Sequence, residues 1–185
     1  MTGDKKAFRS AVREKQKNLS EEYIALSNRL ILEALVSMPE IRETERLFLY
    51  YSVGREIDTR ELIAWCEKEN KTVFLPVTQE GGRMRFVRYD GFLKEGKYFS
   101  IPEPTDNGEE AFPGKNDVMI VPGLCFDAGG GRMGKGAGYY DRYLAENPCV
   151  TVGLCREKML CDSVPVQEHD IPVAFVVTEK EVRGR

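Results

Sequence analysis

The sequence predicts an α/β fold with a mostly parallel sheet, spanning residues 1–185 as one domain. Segments rich in β-branched and aromatic residues alternate with amphipathic helical segments along most of the chain. The run "DVMIVPG" at 117–123 is almost continuously apolar, as in a parallel strand covered on both faces. A length of 185 residues suits one ordinary domain, and the sequence shows no internal repeat.

The first forty residues predict two helices. Phe8, Ala11 and Val12 recur at helical spacing in the first helix. Ser20 is a suitable N-cap for the second helix, and Pro39 lies beyond the end of that helix.

A short strand and a third helix are expected next. The segment "RLFLYYS" at 46–52 predicts the strand. Asp58 and Glu61 have the spacing of a capping box, so we expect them to open a helix through "TRELIAWCEKEN" at 59–70.

The remaining strands alternate with loops and one more helix. "KTVFLPVT" at 71–78 predicts a strand, and "RMRFVRY" at 83–89 alternates as an edge or hairpin strand does. "VTVGLC" at 150–155 and "VAFVVT" at 173–178 predict the last strands. Residues 90–115 are rich in glycine, proline and acids, and predict an excursion over the surface.

Composition excludes several classes of function. The net charge is -3, so a nucleic-acid-binding protein would need a local basic patch. The basic cluster from Lys5 to Lys17 lacks the aromatic platform of an RNA-binding module. No apolar run is long enough to cross a bilayer, and the first residues lack the apolar core of a secretion signal. We therefore expect a cytoplasmic protein with no nucleic-acid or membrane partner.

The cysteines and the histidine indicate neither a disulfide framework nor a zinc site. The five cysteines are an odd number without a CxxC pair, and His169 is the only histidine. We interpret the cysteines as small core residues and His169 as a surface or loop residue. The chain also offers no Ser–His or Cys–His nucleophile.

The glycine-rich stretch "GGGRMGKGAGYYDRYL" at 129–144 indicates a phosphate site, and several patterns fit it. The dinucleotide motif GxGxxG fits, but residues 122–127 separate its first glycine from the preceding strand. The Walker A pattern also fits, although Gly136 stands where magnesium-binding Ser or Thr is required.

A third interpretation keeps Gly134, Gly136 and Gly138 as an anion nest, with Arg132 and Lys135 supplying charge. The alternative is a flexible turn without a binding role, whose glycines only permit positive φ. The helix that follows, expected over about 137–146, begins with two tyrosines and an aspartate. That aspartate either favours the positive helix end or holds magnesium beside a phosphate.

Two segments are expected to share one cleft. The glycine-rich stretch and "YYSVGREIDT" at 50–59 each follow a strand. Open parallel sheets bind ligands beyond the carboxyl ends of their strands.

The segment 121–144, "VPGLCFDAGGGRMGKGAGYYDRYL", resembles the signature of the 5-formyltetrahydrofolate cyclo-ligases, also called 5,10-methenyltetrahydrofolate synthetases. The matching positions are Pro122, Gly123, Phe126, Asp127, Gly130, Arg132, Gly134, Gly136, Gly138, Tyr139, Tyr140 and Asp141. Four further segments resemble that family in the same order: "KKAFR", "REIDT", "SIPEP" and "VPVQEHD".

The resemblance implies a three-layer α/β/α fold similar to the sugar-isomerase and CoA-transferase group. It implies ATP-dependent cyclisation of 5-formyltetrahydrofolate to 5,10-methenyltetrahydrofolate, with release of ADP and phosphate and with magnesium as cofactor. The formyl oxygen would be phosphorylated during the reaction. The expected partner is this small-molecule substrate, and we expect a monomer.

The resemblance also assigns residues to roles. ATP binding falls to Lys5, Lys6, Arg9, Arg132, Met133, Gly134, Lys135, Gly136, Ala137, Gly138, Tyr139 and Tyr140. Substrate binding falls to Tyr51, Glu56, Phe99, Lys135, Gly136, Ala137, Gly138 and Tyr139. The catalytic residues would be Lys135, Arg132 and Tyr139, and the magnesium ligands Asp141 and Asp170. Phe99 stands where the family carries tryptophan.

Two other functions remain open from the sequence. The first is a phosphotransferase or ligase that uses the same ATP site on another small molecule. The second is a non-catalytic nucleotide- or folate-binding regulator, against which the intact set Arg132, Lys135 and Asp141 speaks.

Overall fold

The computed structural model describes residues 2–98, 100–105 and 108–185, with side chains from Lys5 onward. The first half of the chain forms helices α1 (Thr2–Lys17), α2 (Glu21–Ser37), α3 (Pro39–Glu43) and α4 (Arg60–Lys68), and strands β1 (Arg46–Phe48), β2 (Thr72–Gln79) and β3 (Arg83–Arg88). The second half forms β4 (Leu93–Glu95), β5 (Pro102–Pro104), β6 (Glu110–Ala111), β7 (Val118–Val121), β8 (Cys125–Asp127), β9 (Arg132–Met133), α5 (Tyr139–Glu146), β10 (Val150–Leu154), β11 (Leu160–Cys161), β12 (Phe175–Val177) and β13 (Val182–Gly184).

The central sheet is parallel in its middle and antiparallel at its edges. Its order is β13-β12-β10-β7-β1-β2-β3-β6, and the five strands from β12 to β2 run parallel. The hairpin strand β3 and the terminal strand β13 run antiparallel to their neighbours. The prediction of a mostly parallel sheet is therefore confirmed.

Both faces of the sheet are buried, which gives three layers. Alternate residues of a strand point to opposite faces. In β1 and β2, Phe48 and Phe74 stack at 4.8 Å between ring centroids in the core cluster that includes α5. Leu47 and Val73 belong to the opposite cluster, which α2 and α4 cover. Among the described residues, no helix combines the length and apolarity needed to span a membrane.

The predicted ends of the helices are mostly confirmed, with one correction. Ser20 caps α2 by accepting the N–H of Tyr23 at 3.2 Å. The capping box at 58–61 is wrong, because Thr59 occupies the N-cap position of α4. The Thr59 hydroxyl instead donates to the carbonyl of Tyr50 at 2.6 Å, so it ties the strand-end segment to the helix.

The segment 90–115 is only partly the expected surface excursion. Strands β4 and β5 form a separate antiparallel ribbon. Glu103 in β5 is only 4% exposed, and the ribbon packs on β2. This segment therefore brings a buried carboxylate to the sheet.

The three consecutive glycines at 129–131 form a turn between β8 and β9. One Asp127 oxygen accepts the N–H groups of Gly129 and Gly131, at 3.0 and 2.8 Å. The other accepts Val164 N–H at 2.8 Å. Gly130 has φ +83°, and a Cβ on it would clash with the carbonyl oxygen of Val173. The first glycines are thus a structural turn rather than part of a phosphate-binding loop.

We expect Gly130→Ala to destabilise the protein by about 2–4 kcal/mol, because a left-handed residue and a backbone clash would be combined. Gly129→Ala is the matched control, since Gly129 has ordinary φ and its added Cβ would lie 3.4 Å from Asp127. Urea unfolding measures both variants. Equal stability of the two would contradict this account of the turn.

Candidate active site

A cavity of about 330 Å³ lies where the winding of the sheet reverses, between β1 and β7. The segment after β1 contributes Tyr50, Tyr51, Val53 and Glu56. The segment after β7 contributes Pro122, Gly123, Arg132, Lys135, Ala137, Gly138, Tyr139, Tyr140 and Asp141. The expectation that these two segments share one cleft is confirmed.

Positive φ angles shape the second half of the glycine-rich loop. Gly136 has φ +110°, and the Arg9 guanidinium lies 3.3 Å from the position of a Cβ on it. Arg9 also donates to the carbonyl of Gly134 at 3.2 Å. Gly138, at φ +68°, is the N-cap of α5. Helix α1 therefore packs a cation against the bare backbone of the loop, an arrangement that suits an anion nest.

Arg132 and Asp141 form an ion pair in the cavity wall. Their atoms approach to 2.6 Å, and the two side chains are 6% and 19% exposed. The same Asp141 oxygen accepts Ile171 N–H at 3.1 Å. This hydrogen bond brings the loop that contains Asp170 to the start of α5.

Lys135 and Glu56 form a second pair, across the cavity. The Lys135 ammonium lies 2.7 Å from Glu56 Oε1, and Glu56 Oε2 accepts Val53 N–H at 2.9 Å. Lys135 is half exposed, whereas the Glu56 side chain is 16% exposed. An ion pair thus joins the glycine-rich loop, which carries Lys135, to the segment after β1, which carries Glu56.

Lys5 and Asp170 form a third pair beside the loop. Lys5 of α1 donates to Asp170 Oδ2, which also accepts Gln167 N–H at 2.6 Å. Burial raises the pKa of Asp170, but the hydrogen bonds from Lys5 and Gln167 outweigh it and hold that pKa below its usual value. Asp170 is therefore anionic at neutral pH.

Two tyrosines add neutral hydroxyls near Glu56. Burial raises the pKa of Tyr50 and Tyr140 above the usual 10.0. Tyr50 donates to the carbonyl of Ile57 at 3.1 Å. The Tyr140 hydroxyl is buried and has no partner among the described residues, which leaves it available to a ligand.

The two aspartates predicted as magnesium ligands fit that ion. Each uses one carboxylate oxygen for a cation and a backbone N–H. The second oxygen, Asp141 Oδ2 or Asp170 Oδ1, accepts no hydrogen bond from the described residues. Magnesium is commonly held by one or two carboxylates plus phosphate oxygens and water. Within the described ranges no three His, Cys, Asp or Glu form a metal cluster, so a phosphate would have to share the ion.

Comparisons with known proteins show which family the chain belongs to. The model of the 5-formyltetrahydrofolate cyclo-ligase family matches residues 1–179. The chain belongs to this family. The mouse 5-formyltetrahydrofolate cyclo-ligase is 29% identical, over 95% of this chain and 93% of the mouse protein. The Mycolicibacterium smegmatis cyclo-ligase is 39% identical over 71% of this chain and 72% of its own.

A solved structure extends the likeness to three dimensions. The NMR structure of Aquifex aeolicus 5,10-methenyltetrahydrofolate synthetase superimposes with a TM-score of 0.84 and 34% identity, covering 97% of this chain and 92% of that one. As a cyclo-ligase family member, the chain is an enzyme of the ligase type.

Several residues expected from the cyclo-ligase resemblance do not line the cavity. Met133 packs in the core and is 2% exposed, so its side chain does not reach a ligand. Lys6 is exposed on α1. By contrast, the interpretation of His169 as a surface or loop residue is confirmed, since its side chain is 72% exposed, with Nε2 3.8 Å from Asp170 Oδ1. Phe99 lies outside the described residues.

The cavity also contains residues that sequence reasoning missed. They are Pro76 and Thr78 of β2, Met84 of β3, and Ile101 and Glu103 from the ribbon segment. The carboxyl end of β2 could have indicated the first two, because β2 neighbours β1 in the sheet. For Ile101 and Glu103 the signal was the resemblance of "SIPEP" at 100–104 to the family motif, although neither residue was assigned a role from it.

Asp58 fixes the segment that carries Glu56. Asp58 Oδ1 accepts Arg60 N–H at 2.9 Å and the Ser52 hydroxyl at 3.2 Å. The Arg60 guanidinium, which also donates to this carboxylate, holds the pKa of Asp58 below its usual 3.8, although partial burial raises it. The charged carboxylate thus stabilises the turn into α4.

We expect Asp58→Asn to reduce stability by about 1 kcal/mol at neutral pH. A lowered folded-state pKa contributes stability that is complete above the unfolded-state value and is lost as pH falls through the folded-state value. The difference between wild type and variant should therefore vanish in acid. Urea unfolding at a series of pH values from about 7 down to about 3 measures it. A difference that is independent of pH would contradict the role of the charge.

Proposed function

We propose that this protein catalyses ATP-dependent cyclisation of 5-formyltetrahydrofolate to 5,10-methenyltetrahydrofolate, releasing ADP and phosphate. One observation carries the proposal: in a chain of the cyclo-ligase family, the cation-bearing glycine loop and the Glu56 segment line the same cavity. An anion site and an enclosed site for a ring are thereby adjacent, as transfer between ATP and a folate requires.

The chemistry needs an activated formyl oxygen. An N-formyl amide is a poor electrophile, and an oxide ion does not leave. Transfer of the γ-phosphoryl group of ATP to the formyl oxygen corrects both defects. The N10 amine then attacks the formyl carbon and loses its proton, and the C–O bond breaks with release of phosphate.

The residues of the chain would position the reacting groups and neutralise the negative charge of the ATP phosphates. Lys135 and Arg132 would be the catalytic cations beside the transferred phosphoryl group, together with Tyr139 at the start of α5; all three line the cavity. Backbone N–H groups of 134–138 would hold phosphate oxygens, supported by Arg9 and Lys5 of α1. No side-chain nucleophile is needed, in keeping with the mechanism of direct phosphoryl transfer.

Asp141 and Asp170 would hold magnesium together with the phosphates of ATP. When bound, the ion would offset phosphate charge and orient the triphosphate. Asp141 is positioned for this role by Arg132 and by Ile171 N–H.

The folate would occupy the remainder of the cavity. Glu56 would accept hydrogen bonds from the pteridine, and Tyr51 would pack against it. Lys135 pairs with Glu56 in this structure. A phosphate bound to the Lys135 ammonium would compete with Glu56 for it and draw it away from the Glu56 carboxylate.

The activity is tested by absorbance in the methenyl-folate band, with purified protein, 5-formyltetrahydrofolate, ATP and magnesium. We expect a rise that requires all components. A flat trace from folded protein that binds ATP would reject the folate substrate. ADP release with another acceptor alone would favour a ligase or phosphotransferase of different specificity.

Lys135→Ala should lower kcat/KM for ATP about 100-fold or more, because a cation on the transferred phosphoryl group is lost. The fold should be unaffected, since Lys135 is half exposed. Lys115→Ala is the matched control, because Lys115 is exposed and lines a different groove. Equal loss of ATP use and folate binding would indicate general disruption and contradict the assigned role.

A further inference from the structure

Glu103 is the most deeply buried carboxylate of the cavity wall. The residue is 4% exposed, whereas the side chains of Glu56 and Asp141 are 16% and 19% exposed. It stands on β5, in a ribbon separate from both the glycine loop and the segment after β1. A buried carboxylate is costly unless hydrogen bonds compensate it.

Thr78 satisfies one oxygen of this carboxylate. The Thr78 N–H and hydroxyl both donate to Glu103 Oε1, at 3.0 and 2.5 Å. Oε2 accepts no hydrogen bond from a described residue. Because Glu103 lines the cavity and Thr78 occupies Oε1, Oε2 is the oxygen left to accept from a ligand.

Glu56 differs from Glu103 in this respect. Its Oε1 pairs with Lys135 and its Oε2 accepts Val53 N–H, so both oxygens already have partners. Glu103 Oε2 therefore supplies an acceptor in addition to the Glu56 oxygen that Lys135 would release on phosphate binding.

The cavity walls near Glu103 suit a flat ring that carries N–H donors. Pro76, Met84 and Ile101 provide apolar contacts. A reduced pteridine carries an amino group and several ring N–H groups, and a carboxylate is the strongest acceptor that a protein offers them. A ring without donors would leave the buried oxygen unpaired.

We propose that Glu103 is a specificity-determining residue, which accepts an N–H of the pteridine ring through Oε2 while Thr78 fixes Oε1. This inference rests on the proposed function. It adds a recognition contact from β5 that is independent of the ATP side of the site.

Glu103→Gln tests the contact with an isosteric side chain. The N–H and the hydroxyl of Thr78 both donate to Oε1, so the amide oxygen of the glutamine has to take the place of Oε1. The amide NH₂ then takes the place of Oε2. The amide NH₂ of the variant would then face an N–H of the pteridine, so two donors would oppose each other. We expect KM for 5-formyltetrahydrofolate to rise about ten- to hundredfold, while KM for ATP changes less than about twofold.

Two further variants keep the test decisive. Glu95→Gln, an exposed acid on β4 of the same ribbon, should match wild type in both KM values. Thr78→Val removes the hydroxyl donor but keeps the N–H bond, so it should raise KM for the folate about two- to fivefold. If Glu103→Gln does not fold, Thr78→Val decides the question.

The outcomes separate this inference from the proposed function. An active wild type whose Glu103→Gln and Thr78→Val variants keep KM for the folate within about twofold would overturn the Glu103 contact alone. Equal rises in both KM values would also overturn it, since they show disruption of the whole site. A wild type inactive on 5-formyltetrahydrofolate would overturn the proposed function, and the contact with it.

Discussion

The reversal of winding between β1 and β7 is the constraint on which the site depends. From this pair the chain builds the sheet outward in opposite directions, with β2 on one side and β10 and β12 on the other. Right-handed crossovers then send α4 to one face and α5 to the opposite face. The segments leaving the two strands must separate, and the crevice between them is the cavity.

Within this crevice, charge is arranged in opposed pairs from different parts of the chain. Lys5 meets Asp170, Arg132 meets Asp141, and Lys135 meets Glu56. Each cation is paired with a carboxylate, which orders the side chains that we propose to meet the triphosphate. Such preorganisation is what phosphoryl transfer demands, because the protein contributes mainly position and electrostatics.

The sequence predicted what local patterns determine. The apolar run ending at Val121 predicted the central strand, and the anion nest of Gly134, Gly136 and Gly138 stays a prediction that the positive φ of Gly136 and Gly138 supports. The resemblance correctly brought Tyr51, Glu56 and Lys135 to one cavity. Asp58 was misassigned as a cap because an aspartate three residues before Glu61 fits the capping-box pattern, whereas its carboxylate accepts Arg60 N–H and the Ser52 hydroxyl instead.

Other features depended on tertiary contacts. Residues 90–115 have the composition of a surface loop, yet the ribbon folds back on β2 and buries Glu103. Met133 belongs to the glycine-rich motif but pairs with Cys125, which turns its side chain into the core. Composition and spacing alone do not distinguish these arrangements from their alternatives, and for the ribbon only the resemblance of "SIPEP" to the family motif pointed to the site.

The separate ribbon has a consequence for how such an enzyme can diversify. Of this ribbon, Glu103 of β5 and the preceding Ile101 contribute to one wall of the cavity, and neither β4 nor β5 makes a hydrogen-bonded ladder with the central sheet. Under the proposed function, the contact from Glu103 to the acceptor lies in a different stretch of chain from the loop proposed to bind the nucleotide. Exchange of this ribbon between family members offers a modular route to altered acceptor preference, with the machinery of phosphoryl transfer inherited intact.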